Sequence, residues 1–382
     1  MFRRYLSHAL GLFVLAAAPA AFPQGIDRSS HVFVILMENH NWSDIKNSPD
    51  APYINNTLLP IASYTDEYRN PAGVHPSLPN YLWLEAGTGF GITNDSPPSV
   101  NHQSTTDHLV TQLRNAGISW KTYQENISGT TCPVTNSYPY APKHCPFVYF
   151  DDVTSAGCTT VVRPFSELAT DLANGTAAHY NFITPNLIND MHDSAPPLYN
   201  PVLQGDTWLS QNLPAILNSS AYQNNGLILI TWDEGEGGSD GPIGMIVLSP
   251  LAKGGGYHNT IHYTHSSTLR TFGKIFGVGP LIRGAATAVD LSDLFLPHAV
   301  PNADNDIASE TITRGGGYAT VSWPGQPGIT YRVQWKSDLR DATWQNITPD
   351  QTGNGGLLSW TDNGTQTASA PVEHRFYRVT IP

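Results

Sequence analysis

Four uninterrupted apolar runs constrain this chain more than any other feature. His31-Val-Phe-Val-Ile-Leu-Met37 ends abruptly in Glu38-Asn39, and Tyr180-Asn-Phe-Ile-Thr184 runs through Pro185-Asn186 into Asn189-Asp190-Met191-His192-Asp193. Leu227-Ile-Leu-Ile-Thr-Trp232 stops at Asp233-Glu234, whereas Gly244-Met-Ile-Val-Leu248 stops at Ser249-Pro250. Apolar residues without alternation suit strands buried on both faces, as in a parallel sheet covered by helices. Ligands of open α/β sheets bind beyond the carboxyl ends of the strands. Acids, amides and imidazoles collected at that edge form a pocket of oxygen and nitrogen donors. The pattern predicts a metal-dependent hydrolase.

The length of 382 residues favours one large domain plus a small one. Charged residues make up only 13% and Gly and Pro are abundant, a loop-rich composition common in exported proteins. A net charge of −12, without any Lys/Arg cluster, argues against a nucleic-acid partner. At the N-terminus, Arg3-Arg4, the apolar Leu10–Ala18 run and the small residues Ala18-Pro-Ala20 predict a cleaved signal peptide over residues 1–24. The protein is then expected to be secreted or periplasmic. That run is shorter than the ~20 apolar residues a membrane span needs, so no transmembrane segment is expected. Of the three cysteines, one pair is expected to form a disulfide. Cys132–Cys158 is the preferred pairing, because Cys145 lies inside the Lys143-His-Cys-Pro-Phe147 segment.

Helical spacing of apolar residues marks Thr106–Asn115, stopped by Gly117, with Ile118–Tyr123 as the next strand. Further helices are expected near Phe165–Leu172 and Ser266–Phe276. Strands alternating with helices imply right-handed crossovers and a mostly parallel sheet over residues 25–304. Over residues 305–382 the runs become short, alternating and aromatic: Thr311-Ile-Thr, Tyr318–Trp323, Tyr331–Trp335, Leu357–Trp360 and Arg375–Thr380. They predict a small all-β sandwich of fibronectin- or immunoglobulin-like kind, joined by a linker near residues 303–309. His374 is its one histidine, so a binding or spacer module, for a cell surface or a glycan, is expected rather than a catalytic one.

The segment Gly73-Val-His-Pro-Ser-Leu-Pro-Asn-Tyr81 sets Ser77 between prolines ahead of a helix-like stretch. Backbone amides and the positive end of a helix dipole stabilise phosphate at such a place. A serine hydroxyl attacks poorly until a base or a metal activates it. With no His-Asp relay before it and several carboxylates to hand, metal activation is the economical reading. A serine before a helix can equally serve as an N-cap.

These motifs resemble the phosphoesterase family of bacterial and fungal acid phosphatases and phospholipases C. The resemblance rests on Met37-Glu-Asn-His-Asn-Trp-Ser-Asp44, His75-Pro-Ser-Leu-Pro-Asn-Tyr81, Pro185–Asp193, Thr231-Trp-Asp-Glu234 and Tyr263–Thr271, in that order. Ser119–Asn126 and Lys143–Phe150 belong to the same pattern, and the likeness leaves the C-terminal region uncovered. It implies a three-layer α/β/α sandwich of alkaline-phosphatase-like type. It also implies Ser77 as a nucleophile forming a phosphoserine, with Asn80 donating to the phosphate. By the same resemblance Glu38, Asn39, Asp233 and Glu234 are metal ligands, and Asp190, His192 and His265 make a second cluster for a metal or the phosphate. Oxygen ligands suit Mg, Ca or Mn, while His192 and His265 would draw Zn or Fe. His75, His144 and Tyr123-Gln-Glu125 could line the pocket or hold loops by hydrogen bonds, the second being the preferred reading, and Glu236, Asp240, His258 and His262 are set aside.

An exported, metal-dependent phosphomonoesterase acting on a small phosphate ester is therefore the leading expectation. A phospholipase C-like diesterase is the alternative, and the short loops between motifs favour the acid phosphatase branch. A sulfatase would need a Cys or Ser in a modification motif that is absent from the sequence. A non-catalytic surface-binding protein would be expected to have lost Glu38, Ser77 or Asp233, and all three are present.

Overall fold

The computed structural model describes residues 25–236, 240–297 and 299–301, then 311–315, 318–325, 330–338, 341, 343–353, 356–367 and 375–380. The expected signal peptide, the linker near 303–309 and His374 lie outside the described residues. Eight strands form one sheet: β1 (Val32–Met37), β2 (Ser63–Thr65), β3 (Trp120–Gln124), β4 (Val162–Pro164), β5 (Tyr180–Thr184), β6 (Leu227–Trp232), β7 (Met245–Leu248) and β8 (Tyr257–Asn259). Their order is β4-β3-β5-β1-β6-β7-β2-β8. The apolar runs β1, β5 and β6 are its centre, wholly buried and parallel to one another. Among the eight, β7 alone runs against its neighbours. Its carboxyl end, Ser249-Pro250, therefore exits at the opposite edge, which explains why that run lacks the polar ending of the other three.

Five helices matter for the site: α1 (Ser77–Ala86), α2 (Leu109–Asn115), α3 (Leu168–Asn174), α4 (Pro201–Leu217) and α5 (His265–Phe276). On one face, Tyr81 of α1 tilts against Phe182 of β5, and Phe272 and Phe276 of α5 meet Tyr180. Helix α2 packs beside both α1 and α5. On the other face, Lys121 and Tyr123 of β3 both reach Asp171 of α3, and α4 packs beside α3. Helix, sheet and helix thus make the three layers. Helix α4 went unread in the sequence because Gly205 and Pro214 interrupt its pattern. Gly205 is needed there, since a Cβ would fall 2.3 Å from Met191 Cγ. The start was nonetheless signalled, by an Asn200 cap followed by Pro201 at the first helical position.

The disulfide joins Cys132 to Cys158, leaving Cys145 buried and free. In the C-terminal region, Thr311–Gly315, Tyr318–Pro324 and Leu357–Asp362 make one antiparallel sheet. Thr330–Lys336 pairs with Gln345–Asn346, Gln351–Thr352 and Phe376–Thr380 in another. Val321, Trp323, Tyr331, Val333, Tyr377 and Val379 form a hydrophobic core of their own. No helix among the described residues is long and apolar enough to cross a membrane.

Candidate active site

Strand register builds the site. Pairing Met37 with Trp232 sets the next residues, Glu38 and Asp233, side by side at the carboxyl edge. Asn39 follows at φ 45°, and its backbone N–H donates to Asp233 Oδ1 at 3.1 Å. From the other side of β1, the loop after β5 arrives with the Asp190 carbonyl accepting from Glu38 N at 2.8 Å. Met191, at φ 83°, turns the chain between Asp190 and His192. Left-handed backbone on side-chain-bearing residues is strained, and it gathers at functional loops.

Helix α1 supplies the hydroxyl. Ser77 is its first residue, 1% exposed, and Oγ donates to Glu38 Oε2 at 3.0 Å instead of capping the helix. Tyr81, one turn on, donates to Glu38 Oε1 at 2.6 Å. Asn80 Nδ2 donates to Glu234 Oε2 and to the Val74 carbonyl, each at 2.9 Å. Its amide protons are spent on the protein, so here Asn80 supports Glu234 and the preceding loop. Lys143 Nζ lies 3.5 Å from Ser77 Oγ, 3.1 Å from Asp95 Oδ2 and 3.3 Å from His192 Nε2.

The electrostatics of the group are unbalanced. Burial, then the neighbouring Glu38 and Glu234, pushes the Asp233 carboxyl well above its ordinary range. Burial also takes Glu234 to about 7, with Glu38 adding to it and His75 opposing. Asp190 rises to about 6, burial outweighing the adjacent His144. Burial works the same way on Glu38, but His144, Lys143 and His192 hold it down to about 2. Asp233 Oδ2 and Asp190 Oδ2 are buried without a hydrogen-bond partner.

The Asn39 carboxamide faces Glu38 Oε2 at 3.1 Å and Glu234 Oε1 at 3.3 Å. With its nitrogen turned toward them it donates to both; with its oxygen turned, three oxygens converge as around a cation. Such buried negative charge is what a divalent ion neutralises. Glu38, Asn39 and Glu234 thus put hard oxygen donors beside one another, with Asp233 held next to them by the Asn39 N–H. Among the described residues, the acids and imidazole whose ligand atoms all lie within 4.8 Å of one another are instead Glu38, His144 and Asp190.

The structure brings Ser77, Glu38, Asn39, Asn80, Asp233 and Glu234 together, with Asp190 next to them. The imidazole standing with Asp190 is His144, not His192. His144 Nε2 is 3.0 Å from Glu38 Oε1 and Nδ1 is 3.1 Å from Asp190 Oδ2, without hydrogen-bond alignment. His192 instead turns Nδ1 to Asp193 Oδ1 at 2.7 Å. Both ring nitrogens of His265 are engaged away from Ser77. Its Nε2 donates to the Asp233 carbonyl at 2.6 Å, its Nδ1 meets the Tyr68 hydroxyl at 3.1 Å, and burial keeps it neutral, down to about 4. It buttresses the Asp233 backbone. His75, read as a loop support, joins Glu234 Oε2 at 2.6 Å to Asp240 Oδ2 at 2.7 Å. Lys143, Tyr81 and Asp95 were not singled out in the sequence, although the Lys143-His144 motif pointed to the place.

A buried hydroxyl facing clustered acids at the carboxyl edge of an α/β sheet suits a hydrolase of phosphoric esters, and comparisons with known proteins identify the chain as one. It belongs to the phosphoesterase family, whose sequence pattern matches residues 66–279, more than half of the chain. It is similar to a phosphatidylinositol-3-phosphatase of Mycobacterium tuberculosis, 32% identical over 292 residues that cover 75% of this chain and 91% of that one. An acid phosphatase of Aspergillus fumigatus is 27% identical, over 66% of this chain and 56% of its own length. A probable acid phosphatase of Kluyveromyces lactis is 27% identical, over 53% and 47%. The chain thus spans about half the length of those two fungal relatives. Among solved structures, a phosphonate monoester hydrolase of Agrobacterium radiobacter matches with a TM-score of 0.47 and 13% identity, over 90% of this chain and 91% of that one. A Vibrio parahaemolyticus protein of the alkaline phosphatase superfamily matches with a TM-score of 0.45 and 8% identity, over 88% of each.

Proposed function

We propose that this chain is an exported, metal-dependent phosphomonoesterase of acid phosphatase type, acting through a phosphoserine at Ser77. The observation that carries the reading is the Ser77 hydroxyl, held at the start of α1 between Glu38 Oε2 at 3.0 Å and Lys143 Nζ at 3.5 Å. Glu38 accepts the hydrogen bond from Ser77 Oγ and so fixes its orientation toward the clustered acids. Attack forms the Oγ–phosphorus bond and breaks the bond to the leaving alcohol; water then cleaves the phosphoserine and frees orthophosphate. Lys143 stays cationic although burial opposes it, because Glu38 and Asp95 outweigh that penalty. Its charge, with the amides at the start of α1, offsets charge developing on the phosphoryl oxygens. A divalent cation held by Glu38, Asn39, Asp233 and Glu234 would add a Lewis acid that lowers the hydroxyl's pKa.

Relatives named acid phosphatase and phosphatidylinositol-3-phosphatase support monoesters over the phospholipase C-like alternative. Export is supported by the signal-like residues 1–24 and by the Cys132–Cys158 disulfide, which belongs in an oxidising compartment. We divide the chain at residue 304 and assign residues 305–382 to cell-surface or glycan contact. The test is turnover of p-nitrophenyl phosphate against bis-p-nitrophenyl phosphate, with elemental analysis of the purified protein. Ser77→Ala should lower kcat by about 10³-fold or more. Retained turnover in that variant, or preference for the diester, overturns the reading.

A further inference from the structure

We propose that Asp95 occupies the phosphate seat of the resting enzyme and is displaced when a phosphoryl group enters. The inference rests on Ser77 being the phosphoryl acceptor. Asp95 Oδ1 accepts from the Leu78 N–H, the amide next to Ser77, at 3.0 Å. Asp95 Oδ2 accepts from Lys143 Nζ at 3.1 Å, and the same ammonium stands 3.5 Å from Ser77 Oγ. Two donors flanking the hydroxyl are therefore both spent on one carboxylate. A helix-start amide and an ammonium are the donors that a phosphoryl group at Oγ would use. Carboxylate and phosphoryl oxygens carry the same charge sign and compete for the same N–H groups.

Asp95 is also placed to leave. Its side chain is 26% exposed, whereas Glu38 and Asp233 are sealed from solvent. Rotation about its side-chain bonds carries it to water. The backbone around it stays fixed: Asn101 Nδ2 and Ser96 N both donate to Asn94 Oδ1, at 2.9 and 3.0 Å, and the Tyr149 hydroxyl donates to the Ser96 carbonyl at 3.1 Å. The exchange is a side-chain event on a pinned loop. In the empty enzyme Asp95 keeps Lys143 beside Ser77; in the loaded one it is the anion every phosphate has had to outcompete. Orthophosphate is held more weakly as a result, which favours its release.

Asp95→Asn keeps an acceptor for Leu78 N–H and removes the charge. The expected result is inhibition by orthophosphate at about tenfold lower concentration, with KM for p-nitrophenyl phosphate falling more than kcat changes. An unchanged or higher inhibition constant, with or without a lower melting temperature, overturns the proposal and leaves Asp95 as a fixed cap and counter-ion. An independent measurement uses the wild-type protein with its metal: a structure with orthophosphate bound should show Asp95 released from Leu78 N and Lys143, and one in which it keeps both bonds overturns the proposal. Ser77→Ala, assayed alongside, separates the two readings. If it retains turnover, the site itself is misassigned; if it is inactive and Asp95→Asn binds phosphate no better, only the role of Asp95 falls.

Discussion

His108 stands between Glu85 and Asp152, and His144 between Glu38 and Asp190, both rings shut away from solvent. At His108 the bonds are aligned: Nδ1 meets Glu85 Oε1 at 2.8 Å, Nε2 meets Asp152 Oδ1 at 3.0 Å, and the ring stacks on Phe150 at 3.9 Å. Thr111 and Arg114 donate to the other Asp152 oxygen at 2.6 and 2.7 Å. One Glu85 oxygen is the exception left unpaired. At His144 similar distances come without alignment, and Asp190 Oδ2 is unpaired. The first network closes on itself and serves the fold. The second leaves donors and acceptors open at the sheet edge, in the candidate metal set of Glu38, His144 and Asp190.

The comparison can be broken most sharply through activity. Glu38→Gln is expected to lower kcat/KM about 10³-fold or more, while His108→Gln changes kcat/KM of the folded protein less than about twofold. Equal losses in steady-state assays would remove the distinction. Next in size, a divalent ion at about a thousand times its Kd should stabilise the chelator-stripped protein by about 4 kcal/mol. The same titration should leave the melting temperature of Asp233→Asn nearly unmoved, and an equal shift there would place the ion elsewhere. His108→Ala, in turn, should cost about 3 kcal/mol in urea unfolding, because Glu85 and Asp152 lose their shared partner.

The pH dependence of that cost has a definite sign. Burial lowers the His108 pKa, but Asp152 and Glu85 more than reverse it and leave it above 6.5. Its stabilisation is complete below that value and lost as pH rises through the folded-state pKa. Burial raises Glu85, which also takes stability away as pH rises. Asp152 is raised by burial yet held below 3.8 by His108, Thr111 and Arg114, so its share is present above that value and lost on acidification. Wild type minus His108→Gln, followed by urea unfolding at pH 5, 7 and 9, should shrink steadily upward. The smallest effect belongs to Thr111→Val, about 1 kcal/mol for one lost hydroxyl bond to Asp152.

The sheet centre was legible because burial on both faces leaves an apolar run no alternative, and β1, β5 and β6 are such runs. The acids at their ends were legible for the same reason, as charge that abruptly follows a core strand. What escaped depended on side-chain direction across the fold. His144 was read as a loop support because nothing local shows that its loop lies over Glu38. His265 was read into a cluster for a metal or the phosphate, and as the first residue of α5 it turns toward the Asp233 carbonyl and Tyr68. Helix α4 hid behind Gly205, a residue explained by Met191 and Met37 pressing on it from other segments.

The reversal of β7 has one more effect. The chain leaves the sheet at Asp233 and returns at Met245 along the adjacent strand, so both ends of that connection open on the catalytic rim. Crossovers between parallel strands must be carried back by a dozen or more residues, usually a helix; this one need not be. Asp240 lies within it and bonds His75, which in turn holds Glu234, so the connection also braces the acids at the sheet edge.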